Sequence, residues 1–95
     1  MAARTQIVRD CVVLNKLGLH ARPASMFVQT ATRFKSEITI SNSKEGLVCD
    51  GKSIMGLLML AAEEGTSISI TAHGEDAKEA LDALEKLITD KFGEE

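Results

Sequence analysis

The stretch Gly18-Leu19-His20-Ala21-Arg22-Pro23-Ala24-Ser25 marks the point where a strand-like run gives way to a helix-like pattern. The segment before it is rich in β-branched residues, which is typical of a strand. Pro23, the single proline of the chain, falls in the first turn of the helix that follows, where its missing N–H costs nothing. The sequence therefore predicts that His20 lies at a strand-to-helix junction.

At such a junction, His20 has the surroundings of an anion site. The first N–H groups of a helix have no partners within it, and the helix dipole adds partial positive charge there. A neutral imidazole in this place can attack phosphorus and hold the resulting phosphate against those N–H groups. Arg22 would add a fixed charge, and the Ser25 hydroxyl could reach the same phosphate. The alternative is that His20 only caps the helix and that Ser25 is an ordinary first-turn serine.

Outward from this junction, hydrophobic periodicity divides the chain into four strands and three helices. Strands are predicted at residues 6–14, 37–41, 47–50 and 66–72, and helices at 21–33, at 54–60 and from about 75 onward, with Phe92 extending the last buried stripe. The second and fourth strands have one apolar face and one Ser/Thr face, so only one side of the sheet should be covered. The predicted fold is an α/β (α+β) open-faced two-layer sandwich of order β-α-β-β-α-β-α, with a four-stranded, mostly antiparallel sheet and three helices on one face.

The composition limits the classes of function. A chain of 95 residues is expected to form one domain, residues 1–95, that is too small for a core plus a deep catalytic cleft. Eleven Lys and Arg residues stand against fourteen Asp and Glu residues without a basic run, which disfavours nucleic-acid binding. No span is long and apolar enough to predict membrane insertion.

The cysteines and the second histidine do not suggest a metal site or a cofactor. Cys11 and Cys49 are not clustered with histidines at zinc-ligand spacing, so both are interpreted as reduced strand residues of a cytosolic protein. His73, beside Gly74, is expected in a solvated turn. No metal and no cofactor are therefore expected.

A second candidate site begins at Ser53, which suits the N-cap of the helix at 54–60. The apolar residues of this helix cannot all point inward from so short an element, so part of them should form an exposed docking patch. The alternative is that neighbouring elements cover the whole helix, and the pattern alone leaves both open.

Two motifs of the chain are similar to those of a known family. Residues 18–24 resemble the active-site motif of HPr, the histidine-containing phosphocarriers of the bacterial phosphoenolpyruvate-dependent phosphotransferase system. Lys52-Ser53-Ile54-Met55-Gly56 resembles the regulatory serine motif of the same family, in the same order and at similar spacing. The likeness runs from about residue 6 to residue 87, and the deduced order of elements is the family's own.

The resemblance implies a phosphoryl carrier rather than an enzyme. A monomer is the default expectation, in the cytoplasm that the reduced cysteines indicate. His20 would take a phosphoryl group from phosphorylated enzyme I on its Nδ1 atom and pass it to an enzyme IIA domain, with Arg22 steadying the phosphate. Ser53 would be phosphorylated by HPr kinase/phosphorylase in lineages that have this kinase. The partners would share a contact surface that includes Ala21, Ser25, Ile54, Met55 and Leu58.

Two other functions stay open at this point. One is a regulatory interaction module that acts through phosphorylation of Ser53, although the presence of His20 argues against this as the sole role. The other is a carrier of the nitrogen-linked branch of the phosphotransferase system, without a role in sugar transport.

Overall fold

The computed structural model describes residues 5–94 and contains the strands and helices in the predicted order. The strands are β1 (Thr5–Val12), β2 (Glu37–Asn42), β3 (Leu47–Asp50) and β4 (Ser67–Gly74), and the helices are α1 (Ala21–Ala31), α2 (Ile54–Met59) and α3 (Ala77–Thr89). A short 3₁₀ segment, Lys91–Gly93, follows α3, and we refer to it as the tail turn. The expected domain of residues 1–95 includes residues 1–4 and 95, which lie outside this description.

The four strands form one sheet in the order β1-β4-β2-β3, and every neighbouring pair is antiparallel. The two inner strands bury alternate residues, among them Ile38 and Ile40 of β2 and Ile68 and Ile70 of β4. The residues between them, mostly serine and threonine, are exposed or half-buried on the other face. The predicted open-faced sandwich, with its helices over one face of the sheet, is confirmed.

The core lies between this sheet and the helices. Its largest fully buried side chains are Phe27, Phe92, Ile38, Ile40, Leu57, Leu60, Ile68, Ile70, Leu81, Leu84, Ile88 and Val13. Helix α3 packs on β1 and β4 and also contacts α1. Phe92, the buried residue of the tail turn, anchors the chain after α3 to this core.

Several predicted boundaries differ from the observed ones. Strand β1 ends at Val12 and helix α1 ends at Ala31, each two residues earlier than predicted. Strand β4 continues through His73 to Gly74, because His73 still pairs with Gln6 of β1. His73 is therefore a strand residue and not part of a turn, and its Nδ1 atom lies 3.8 Å from a carboxylate oxygen of Glu37.

Both cysteines lie in strands as free thiols, as predicted. Burial raises the pKa of the Cys49 thiol to about 11 and raises that of Cys11 as well. Across residues 5–94, no helix combines the length and the apolar character needed to cross a membrane.

Candidate functional site

The loop between β1 and α1 is fixed against the segment that precedes β4. The Leu19 N–H donates to the Ala62 carbonyl oxygen at 2.9 Å, and the Gly18 N–H closes a turn by donating to the Asn15 carbonyl oxygen at 3.1 Å. Gly18 has a positive φ of 67°, and a Cβ at this position would overlap the Ala62 carbonyl oxygen. Glycine is therefore needed here, and the tight loop sets the position of His20 two residues later.

His20 occupies the N-cap of α1, at the predicted junction, with extended backbone angles. Its side chain makes no capping hydrogen bond. The alternative that His20 only caps the helix therefore explains the position of its backbone but gives no role to its imidazole ring. Pro23 has no N–H, and the Ala24 N–H already donates to the His20 carbonyl oxygen at 3.0 Å. The N–H groups of Ala21 and Arg22 are the ones left in the first turn for an anion.

The His20 ring contacts a carboxylate that sequence reasoning missed. Its Nε2 atom lies 3.0 Å from Oε2 and 3.3 Å from Oε1 of Glu94. The side chain of His20 is 36% exposed, and that of Glu94 is 14% exposed. Among residues 5–94, Nδ1 of His20 has no hydrogen-bond partner. One ring nitrogen is thus engaged while the ring as a whole stays accessible.

The Glu94 carboxylate is itself held by Asn15. The Asn15 amide donates to Glu94 Oε1 at 3.0 Å and to the Gly18 carbonyl oxygen at 2.7 Å, and this asparagine is fully buried. Lys91, Phe92 and Gly93 all have positive φ angles, so the chain turns sharply after α3. This turn places Glu94 beside the start of α1, 74 residues away in sequence.

Arg22 and Ser25 lie in the first turns of α1, as predicted. Arg22 is exposed, and within the described part of the chain its guanidinium forms no ion pair. Ser25 is half-buried, and its Oγ accepts a hydrogen bond from Nε2 of Gln29 at 3.4 Å. Ala21 is exposed. Arg22 is therefore free to approach an anion at the helix start.

The predicted N-cap at Ser53 is confirmed. Its Oγ accepts a hydrogen bond from the Gly56 N–H at 3.0 Å, and the residue is half-buried. Helix α2 buries Leu57 but leaves an apolar surface open, which we refer to as the α2 patch. The patch comprises Ile54, Met55, Leu58 and Met59.

The α2 patch confirms the predicted exposed surface, and the alternative of a fully covered helix is wrong. Met55 is 68% exposed and Met59 is 71% exposed. Because α2 packs against α1, the patch lies on the helix next to the one that starts at His20. Exposed apolar surface of this kind is typical of a protein–protein contact.

The arrangement is suited to transient attachment of a phosphate. It offers an accessible imidazole, two first-turn N–H groups and a nearby guanidinium. Within residues 5–94, no group of three His, Cys, Asp or Glu side chains is placed to hold a metal ion.

Comparison with known proteins identifies the family. The family model described as "PTS HPr component phosphorylation site" matches residues 7–90. This chain belongs to the HPr family. It is 50% identical over 82 residues to the phosphocarrier protein HPr of Neisseria meningitidis serogroup A, covering 86% of this chain and 90% of the relative. As a family member it is a phosphocarrier of the phosphotransferase system.

Solved HPr structures share the fold. The structure of HPr-C-His from Thermoanaerobacter tengcongensis is 44% identical, with a TM-score of 0.87 that covers 94% of this chain and 98% of that one. A structure described as an HPr dimer from the same organism is 45% identical, with a TM-score of 0.73 over 88% of this chain and 94% of that one. The resemblance seen in the two sequence motifs is thus confirmed over most of the chain.

Proposed function

We propose that Nδ1 of His20 accepts a phosphoryl group from phosphorylated enzyme I and donates it to an enzyme IIA domain. The observation that best supports this is the state of the ring. The ring lies at the N-cap of α1 with its side chain 36% exposed, with Nε2 in contact with Glu94 and with Nδ1 unpartnered among residues 5–94. An exposed site without a cleft suits a carrier that must dock to several proteins in turn.

The transfer needs little from this chain beyond position and charge. The Nδ1 lone pair attacks phosphorus, the bond from phosphorus to the donor atom of enzyme I breaks, and the electron pair of that bond stays with the donor. The N–H groups of Ala21 and Arg22, together with the Arg22 guanidinium, offset the charge of the phosphate. Because these contacts are few and solvent-exposed, the phosphate stays transferable, and the docked partner excludes water during the step.

The surface that enzyme I and enzyme IIA would share is the α2 patch together with Ala21 and Ser25. Within this surface, the residues carried over from the family motif are Ile54, Met55 and Leu58. The exposed side chains of the patch support this assignment. We further propose that the chain acts as a single cytoplasmic domain and as a monomer, and the oligomeric state is open to direct measurement because one solved HPr is described as a dimer.

Phosphorylation of Ser53 by HPr kinase/phosphorylase is the proposed regulation. A phosphate on Ser53 adds roughly two negative charges at the start of α2, which the helix itself tolerates. The same charge lies beside the α2 patch and opposes an acidic partner surface. Phospho-Ser53 should therefore slow transfer to His20 without unfolding the protein. A regulatory module that acts through Ser53 alone is the second candidate, favoured by this closeness of Ser53 to the patch.

Two phosphorylation reactions test these proposals. With enzyme I and phosphoenolpyruvate, the wild-type protein should gain an acid-labile phosphate, and His20→Ala should gain none. With ATP and the kinase, the wild-type protein should gain an acid-stable phosphate, and Ser53→Ala should gain none. Thermal melting of both variants shows whether they are folded. Acid-labile phosphate on folded His20→Ala would exclude the carrier role for His20, whereas only acid-stable phosphate on the wild type would favour the regulatory module.

A further inference from the structure

We infer that the cavity between β3 and α2 is the docking pocket for the kinase that phosphorylates Ser53. This inference rests on the proposed function, since it names the surface by which that kinase would recognise its substrate. We refer to the cavity as the β3–α2 pocket. Its volume is about 160 Å³, and the described residues that line it are Leu47, Val48, Cys49, Gly56, Met59 and Leu60.

The β3–α2 pocket is apolar and accessible from solvent. Its walls are aliphatic and thioether side chains, one glycine and the Cys49 thiol. Burial raises the pKa of that thiol to about 11, so the thiol is uncharged near neutral pH. Leu47 is 41% exposed and Met59 is 71% exposed, so the rest of the described chain does not cover the pocket. Such a cavity favours an apolar ligand group.

The volume of the pocket matches one side chain rather than a free metabolite. Pockets for drug-sized ligands typically measure about 300–1,000 Å³ and contain several polar groups that orient the ligand. A dry apolar cavity of about 150 Å³ is large enough to bind benzene. The β3–α2 pocket is therefore suited to a single side chain of the size of leucine or phenylalanine, of the kind that a protein partner inserts at the centre of an interface.

The pocket is continuous with the α2 patch, because Met59 belongs to both. On the same helix, Gly56 lies so close to β3 that an added Cβ would be 3.1 Å from the Cβ atom of Cys49. Glycine weakens the interior of a helix, so its presence in α2 is better explained by this close packing. A partner that docks on the α2 patch can thus place one side chain in the pocket.

The position of the pocket favours the Ser53 kinase over the partners that exchange phosphate with His20. The Gly56 N–H that donates to Ser53 Oγ at 3.0 Å belongs to a residue of the pocket wall. Among the described residues, the wall contains none from α1 or from the loop that precedes it. A kinase must bind beside Ser53 and leave its hydroxyl accessible to ATP, which a contact in this pocket allows. Enzyme I and enzyme IIA need to cover only His20 and the α2 patch.

The experiment compares two phosphorylation reactions of Leu47→Ser, one by the kinase with ATP and one by enzyme I with phosphoenolpyruvate. Serine removes an apolar wall of the pocket, so the KM of the kinase for this protein should rise about tenfold, as expected for the loss of one buried leucine contact. The kcat of the kinase should stay unchanged, because only docking is weakened. Both constants for transfer from enzyme I should match those of the wild type.

Leu14→Ser is the matched control. Leu14 is 40% exposed, against 41% for Leu47, but it follows β1 at the opposite edge of the sheet. This variant makes the same chemical change and should leave both kinase constants at their wild-type values. Circular dichroism and thermal melting show whether the two variants are folded.

A second measurement uses the wild-type protein and so does not depend on the folding of a variant. The deuterated protein with ¹³C-labelled methyl groups is mixed with unlabelled kinase in the absence of ATP, and the kinase protons are irradiated during NMR. The methyl signals of Leu47 should lose intensity, because kinase protons contact them in the complex, whereas those of Leu14 should not. With enzyme I in place of the kinase, the Leu47 signals should keep their intensity.

The outcomes separate the pocket from the proposed regulation. A wild-type KM in folded Leu47→Ser, or undiminished Leu47 methyl signals in the presence of the kinase, would overturn the docking role of the pocket. An equal rise of KM in Leu14→Ser would overturn it as well, and an equal rise for enzyme I would overturn the assignment to the kinase. A wild-type protein that gains no acid-stable phosphate from the kinase and ATP would instead overturn the proposed regulation at Ser53.

Discussion

Replacing Gly18 by alanine should destabilise the protein far more than replacing Gly46, although the two glycines have nearly the same backbone conformation. Their φ angles are 67° and 69°, both in the left-handed region. At Gly46 no atom lies within 4 Å of an added Cβ. At Gly18 the Cβ would overlap the Ala62 carbonyl oxygen and lie 2.9 Å from Cα of Glu63. Both are backbone atoms, so no side-chain rotation can relieve the overlap.

The magnitudes follow from this difference. The left-handed conformation destabilises a folded protein with alanine at either site by about 1–2 kcal/mol. Alanine also makes the unfolded chain less flexible, which offsets about 0.4–1 kcal/mol of this loss. Gly46→Ala should therefore lower the free energy of unfolding by about 1 kcal/mol. At Gly18 the loop must also move away from Ala62, which breaks the 2.9 Å hydrogen bond from the Leu19 N–H. Leaving those groups unpaired adds about 1–3 kcal/mol, for a total of about 3 kcal/mol.

Urea unfolding of the wild type and the two variants measures both free energies under one set of conditions. Transfer from phosphorylated enzyme I should also be slower in Gly18→Ala, because His20 follows two residues later, and unchanged in Gly46→Ala. Equal losses of stability in the two variants would refute the reasoning, since only the surroundings of the Cβ differ between the sites.

Three further predictions concern single side chains. Ser53→Ala removes the N-cap of α2 and should lower the free energy of unfolding by about 0.5–2 kcal/mol in urea titrations. The Ser36 hydroxyl, followed by the Lys35 backbone N–H, holds the pKa of Asp76 below its ordinary value of 3.8. The ionised Asp76 carboxylate therefore adds its full contribution to the free energy of unfolding above pH 3.8, and this contribution is lost as the pH falls through the folded-state pKa. Asp76→Asn should make the free energy of unfolding less dependent on pH in that acidic range, as measured by unfolding at a series of pH values. Burial raises the pKa of the Cys49 thiol to about 11, so Ellman's reagent at pH 8 should modify Cys49 slowly in the folded protein and rapidly after unfolding.

The fold was predictable because its signals are local. The alternation of Ile38 and Ile40 with polar neighbours identified an inner strand with one covered face, and Pro23 fixed the start of α1 at the observed residue. The end of β4 was missed for a tertiary reason. Gly74 resembles a turn residue in sequence, but a Cβ there would lie 2.8 Å from Cα of Ser36. Glycine at this position permits a close approach between the strand and the loop at Ser36. This approach cannot be predicted from the local sequence around Gly74.

In the site, too, the residues placed by local sequence were predictable and the residue placed by tertiary packing was not. The packing of Phe92 explains this difference. The placement of His20, Arg22 and Ser53 at helix starts was predictable because helix starts are visible in sequence, whereas Glu94 lies 74 residues from the histidine it contacts, beyond the predicted buried stripe of the last helix. Phe92 has a φ of 53°, a conformation that costs a bulky residue on the order of 1–3 kcal/mol. Burial in the core opposes that cost, since removing a buried Phe typically costs about 3–5 kcal/mol. The gain from burying Phe92 therefore exceeds the cost of its backbone conformation, and the packing of Phe92 in the core fixes the tail turn. This packing exists only in the folded chain, and it places Glu94 next to the His20 ring.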